Sequence, residues 1–191
     1  MTEDGMRTAV VAHLVERPLP TVHSDRPVRR GWSSSIRHGG GPGADPATIK
    51  FVKTKAYSTC ELHEVDYVNH RGWTMHALVE TEQEQDGTWT VHPLGGGAGP
   101  APHRSEPWVN LCAGIGPQSF TAGGHVEGDG AENAASVRLS FADGGEIEDS
   151  VDNGVVLFFE PRAIVAPVDV SILDGNGAVL ATYQEFTGLA P

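Results

Sequence analysis

From Trp108 to Phe186 the sequence is cut into short alternating runs by turn residues, and this punctuation constrains the fold more than any other feature. Val137, Leu139 and Phe141 alternate with Arg138 and Ser140 ahead of Asp143-Gly144-Gly145, and Val168, Val170 and Ile172 alternate with Asp169 and Ser171 ahead of Asp174-Gly175-Asn176-Gly177. A period of two sends one set of side chains to a core and the other to water. Asp-Gly and Asn-Gly supply the positive φ that tight hairpins need. The pattern predicts strands at Trp108–Cys112, Ser119–Glu127, Ser136–Ala142, Glu146–Val151, Val155–Glu160, Ile164–Leu173 and Ala178–Phe186. Gly154–Phe159 is apolar throughout and reads as a central strand guarded by Asn153 and Glu160-Pro161. Seven short strands with turn signals between them predict an immunoglobulin-like antiparallel β-sandwich. The Cys–Trp–Cys spacing of antibody domains is absent, so the likeness is one of architecture.

Upstream the signals are more varied. Thr8–Glu16 (TAVVAHLVE) is short, apolar and Val-rich, and reads as a first strand. Arg17–Ala47 contains Pro18, Pro20, Pro27, Pro42 and Pro46 with Gly39–Gly41 and Gly43, and reads as an extended arm, because proline removes donors and glycine raises the entropy cost of order. Thr48–Lys55 alternates apolar and basic residues, as a second strand does. Ser58-Thr59-Cys60-Glu61 fits a capping box, with Tyr57 and Leu62 placed for a hydrophobic staple, and predicts a helix over Thr59–Arg71 ended by Gly72. Trp73–Thr81 and Thr88–His92 then read as a hairpin around Glu82–Gly87, and Pro93–Pro107, dense in glycine and proline, as a linker. The expected organisation is an N-terminal α+β portion at 1–92 that includes the arm at 17–47, a linker at 93–107 and the sandwich at 108–187.

Charge is distributed unevenly along this plan. The net charge of −12 comes from 13 Lys and Arg against 25 Asp and Glu. Up to Lys55 nine bases outnumber five acids, giving +4, whereas from Ala56 onward four arginines face 20 acids, giving −16. An acidic body of this kind repels nucleic acid and anionic lipid. No apolar run approaches the roughly 20 residues of a membrane-spanning helix. The acidic start lacks the apolar stretch and small-residue cleavage site of a secretory leader, so the expected compartment is the cytoplasm, with Cys60 and Cys112 reduced.

The motifs that carry chemistry are few. On the predicted helix His63, Asp66 and His70 fall at i, i+3 and i+7, on one polar face, and form the candidate metal set. The spacing matches no zinc signature and a helix presents a polar face to water in any case, so no metal and no cofactor is expected. Ala142–Gly154 and Asp174–Gly177 lack the ligand pattern of an EF-hand and read as turns. Neither Gly39–Gly43 nor Gly95–Gly99 is followed by Lys-Ser/Thr, so neither is a phosphate loop. There is no Gly-x-Ser-x-Gly, and no histidine stands in a motif that would activate either cysteine. Trp73, Trp89 and Trp108 fall in predicted strands as core residues, whereas Trp32 lies in the arm beside Arg29 and Arg30. Arg26, Arg29, Arg30, Trp32 and Arg37 are therefore the candidate partner-binding residues, since Trp and Arg dominate contact energetics. The reading is a non-catalytic binding or assembly protein that meets a protein partner or another copy of itself through this arm. The alternatives are a small-molecule or glycan-binding sandwich and a metal-dependent enzyme built on the His/Asp set.

Overall fold

The computed structural model describes residues 3–16, 43–57, 60–98, 103–115 and 118–186. These residues divide into two compact units, 3–98 and 103–186. The first consists of a helix, α1 (Glu3–Glu16), and four strands, β1 (Lys50–Ala56), β2 (Glu61–Val68), β3 (Thr74–Gln83) and β4 (Trp89–Ala98). The strands form one antiparallel sheet in the order β1-β2-β3-β4.

Two expectations in this unit are corrected. The segment read as a strand at Thr8–Glu16 is the body of α1. Met6, Val10 and Leu14 recur every four residues, so a helix lines them up on one face, where all three are buried. That face packs on Val65, Tyr67, Met75, Ala77 and Val79 of the sheet. The segment read as a helix at Thr59–Arg71 is instead β2, a strand paired on both sides, to β1 and to β3. Val65, Tyr67 and Val68 are strand formers, and the two flanking strands pair with the β2 backbone on both edges. Ser58 and Thr59, half of the proposed capping box, lie outside the described residues. Gly72 does end an element, but as a hairpin glycine at φ 79°. There Asn69 Oδ1 accepts from the N–H of Arg71 (2.9 Å) and of Trp73 (3.0 Å). β4 also runs on through Pro93–Ala98, the front of the expected linker, opposite Val79, Leu78, Ala77, His76 and Met75. Pro93 is tolerated because β4 is an edge strand and the register shifts there.

The second unit has seven strands, β5 (Trp108–Ile115), β6 (Phe120–Glu127), β7 (Ser136–Phe141), β8 (Glu146–Ser150), β9 (Val155–Glu160), β10 (Val168–Leu173) and β11 (Val179–Glu185). All seven expected strands are present, and they form two antiparallel sheets, β5-β6-β9 and β11-β10-β7-β8. Val109, Phe120, Ala122, Val156 and Phe158 of the first sheet share one buried core with Val137, Leu139, Phe141, Val168, Val170 and Ile172 of the second. This is the immunoglobulin-like sandwich, with its fourth strand, β8, paired to the third, where a constant-type domain places it on the other sheet. The acidic loops are turns: Asp174 Oδ1 accepts from the N–H of Asn176 and of Ala178, both at 2.8 Å, with Gly177 at φ 80°.

Of the tryptophans expected in the core, Trp108 is buried and Trp89 half-buried, whereas Trp73 is 43% exposed. It sits in the turn ahead of β3, with the Arg71 guanidinium 5.8 Å from its ring. Cys60 is buried, Cys112 is half-buried, and no disulfide joins them. Among the described residues no helix is long and apolar enough to cross a membrane.

Candidate functional site

Arg26, Arg29, Arg30, Trp32 and Arg37 lie outside the described residues. The metal set His63, Asp66 and His70 does not converge. In a strand, residues three apart point to opposite faces, so β2 sends His63 toward the α1 side of the sheet and Asp66 away from it. His70 is exposed in the turn after β2, its N–H donating to the Gly43 carbonyl at 3.2 Å.

His63 is fully buried, with Nδ1 3.0 Å from Thr54 Oγ1 and Nε2 2.9 Å from Thr81 Oγ1. The edge of its ring meets Phe51, with centroids 5.6 Å apart, and the Arg7 guanidinium lies 4.7 Å over that same phenyl ring. Burial, and then the positive charge of Arg7, pushes the imidazole down to about 4, so it is neutral at physiological pH. The contact with Thr54 resembles a hydroxyl–base pair. A ring with no access to solvent and so little affinity for a proton is a poor general base, and its two nitrogens are taken by hydroxyls. The role of His63 is to satisfy polar groups under α1.

The opposite face of the same two strands assembles a different group. Glu64 and Asp66 are two apart on β2 and share this face, and the β2–β3 register sets Asp66 directly across from His76. One ligand atom from each of Glu64, Asp66 and His76 lies within 4.8 Å of the others. His76 Nδ1 and Asp66 Oδ1 are 2.7 Å apart. Glu64 is only 3% exposed. From β1, Lys53 stands opposite Glu64 and Lys50 opposite Asp66, and from β4 Gly97 stands opposite His76. Two carboxylates and an imidazole can hold a cation or relay a proton.

Asp66 is the one residue of the expected metal set that joins this group. Glu64 and His76 were missed because helical numbering separates them. The signal that finds them is Glu64-Val65-Asp66 taken at a period of two, with His76 brought across by the hairpin centred on Arg71. Comparison of the chain with protein-family models, with curated proteins and with solved structures returns no match.

Proposed function

We propose that this chain acts by binding rather than by catalysis, and that it associates with further copies of itself through Arg26, Arg29, Arg30, Trp32 and Arg37. The observation that supports this reading is the charge left uncompensated on the C-terminal unit. Residues 103–186 contain 13 carboxylates and three arginines. Each arginine is already engaged: Arg138 Nη2 lies 2.9 Å from Glu148 Oε2, Arg162 pairs with Asp143 and Glu160, and Arg104 lies 3.9 Å over the ring of Trp108. Such an excess of carboxylate favours a cationic partner segment. Every copy carries both the basic segment and the acidic unit, so one pair of surfaces suffices for association. Two unlinked thiols suit a reducing compartment, the cytoplasm.

Sedimentation velocity on the full chain tests the reading. Association is expected at low salt and is expected to weaken as ionic strength rises from about 0.05 to 0.5 M, because exposed charges are screened over that range. Joint replacement of Arg26, Arg29, Arg30 and Arg37 by Gln is expected to leave a folded monomer. A wild-type chain that stays monomeric at low salt and high concentration, or a variant that associates as before, refutes the proposal.

A further inference from the structure

We propose that Glu64, Asp66 and His76 form a binding site for a divalent metal ion of the zinc class, on the face of the β2–β3 hairpin turned away from α1. This site is independent of the basic segment and adds to the binding reading above. Its scaffold is a hydrogen-bonded strand pair, so the three donors are placed by register rather than by a loop. Their ligand atoms already lie within 4.8 Å of one another. Bond lengths of about 2.0–2.2 Å require donors to approach within roughly 3–4 Å of each other, a change that side-chain rotation supplies.

The donor set selects the metal. Calcium and magnesium prefer all-oxygen shells, whereas one imidazole with two carboxylates is a borderline set that suits Zn²⁺ and its first-row neighbours. Gly97, opposite His76 on β4, adds no side chain beside the imidazole. Charge argues the same way. A carboxylate that is 3% exposed and held beside a second one is stabilised by a dication among them. Lys50 and Lys53, across β1 from Asp66 and Glu64, are the competing source of positive charge. Each offers hydrogen bonds from a single ammonium on a flexible stem, whereas a metal ion takes lone pairs from both carboxylates and the imidazole at once.

The test uses the full chain with any affinity tag removed, stripped with chelator and titrated with Zn²⁺ by calorimetry, with thermal melts in parallel. Saturable binding of about one equivalent is expected. Excess Zn²⁺ at about a hundred times Kd is expected to raise Tm by about 5 °C or more, and equal Mg²⁺ or Ca²⁺ to leave it unchanged. Asp66→Asn and His76→Gln, both half-buried and conservative in shape, are expected to lose at least about tenfold in affinity while keeping the wild-type circular dichroism without metal. His70→Gln and His92→Gln, both exposed, are expected to bind as the wild type does. Absence of saturable binding in the wild type is the result if the lysines alone neutralise the carboxylates, and it overturns the proposal. Binding that survives unchanged in both ligand variants, or that Mg²⁺ and Ca²⁺ reproduce, overturns it equally.

Discussion

At the scale of single residues, His63 links stability to pH. Its folded value of about 4 lies below the ordinary 6.5, so the unfolded chain takes up the proton first. The stabilisation is therefore complete above pH 6.5 and is lost as pH falls toward 4. The loss from this one group amounts to about 3 kcal/mol between pH 7 and pH 4. Urea titrations over that range are expected to show a falling midpoint. His63→Leu is expected to be less stable at pH 7, because it takes from the buried Thr81 hydroxyl its imidazole partner, yet to lose this component of the slope. Equal slopes in the two proteins would disprove the assignment. Two glycines give a sharper contrast. A Cβ at Gly124, in the middle of β6, would run into the carbonyl of Asn110 on β5, a backbone atom that cannot move without breaking the ladder. At Gly175 a Cβ meets nothing within 4 Å and the backbone is not left-handed. Thermal melts are expected to show Gly124→Ala destabilised by about 2 kcal/mol or more and Gly175→Ala within about 0.5 kcal/mol of wild type.

At the scale of elements, what the sequence discloses depends on whether two periods compete. In β7 and β10 the apolar residues fit only a period of two, and turn residues close each run, so those strands are legible in the order of residues alone. In the segment that becomes β2, Leu62, Val65 and Val68 fit a helical face as well as His63, Val65 and Tyr67 fit a strand face. The choice is made by β1 and β3, which pair with both edges of the segment, and that is information from elsewhere in the chain. The Glu64–Asp66–His76 group was hidden for the same reason, since its third member is a cross-strand neighbour that only register supplies. In α1 the repeat is plain only when Met6 is counted with Val10 and Leu14, whereas the Val-rich middle on its own looks like a strand. The helix so placed makes a test of the period. Leu14→Ala removes a buried contact and is expected to cost about 2–5 kcal/mol, while Ala12→Lys, on the exposed side, is expected to lie within about 0.5 kcal/mol of wild type in chemical denaturation.

At the scale of the whole molecule, each of the two units has a core of its own. One core holds Met6, Val10, Leu14, Val65, Tyr67, Met75, Ala77 and Val79, all from residues 3–98. The other holds Val109, Phe120, Val137, Leu139, Phe158, Val170, Ile172 and their neighbours, all from residues 103–186. Strand pairing obeys the same division, since β1–β4 pair among themselves and β5–β11 among themselves. A core and a set of ladders that are both closed within one stretch of chain are what a segment needs to fold alone. Chains of this size bury enough of their surface for a cooperative transition without disulfides or metal. Residues 103–191 expressed alone are therefore expected to unfold in urea in a single cooperative step. In the full chain, Leu14→Ala is expected to lower the stability of the N-terminal unit, leaving the midpoint of the C-terminal transition where the fragment has it. A fragment that unfolds without cooperativity, or a C-terminal transition that moves with Leu14→Ala, would show that the sandwich draws its stability from outside residues 103–191.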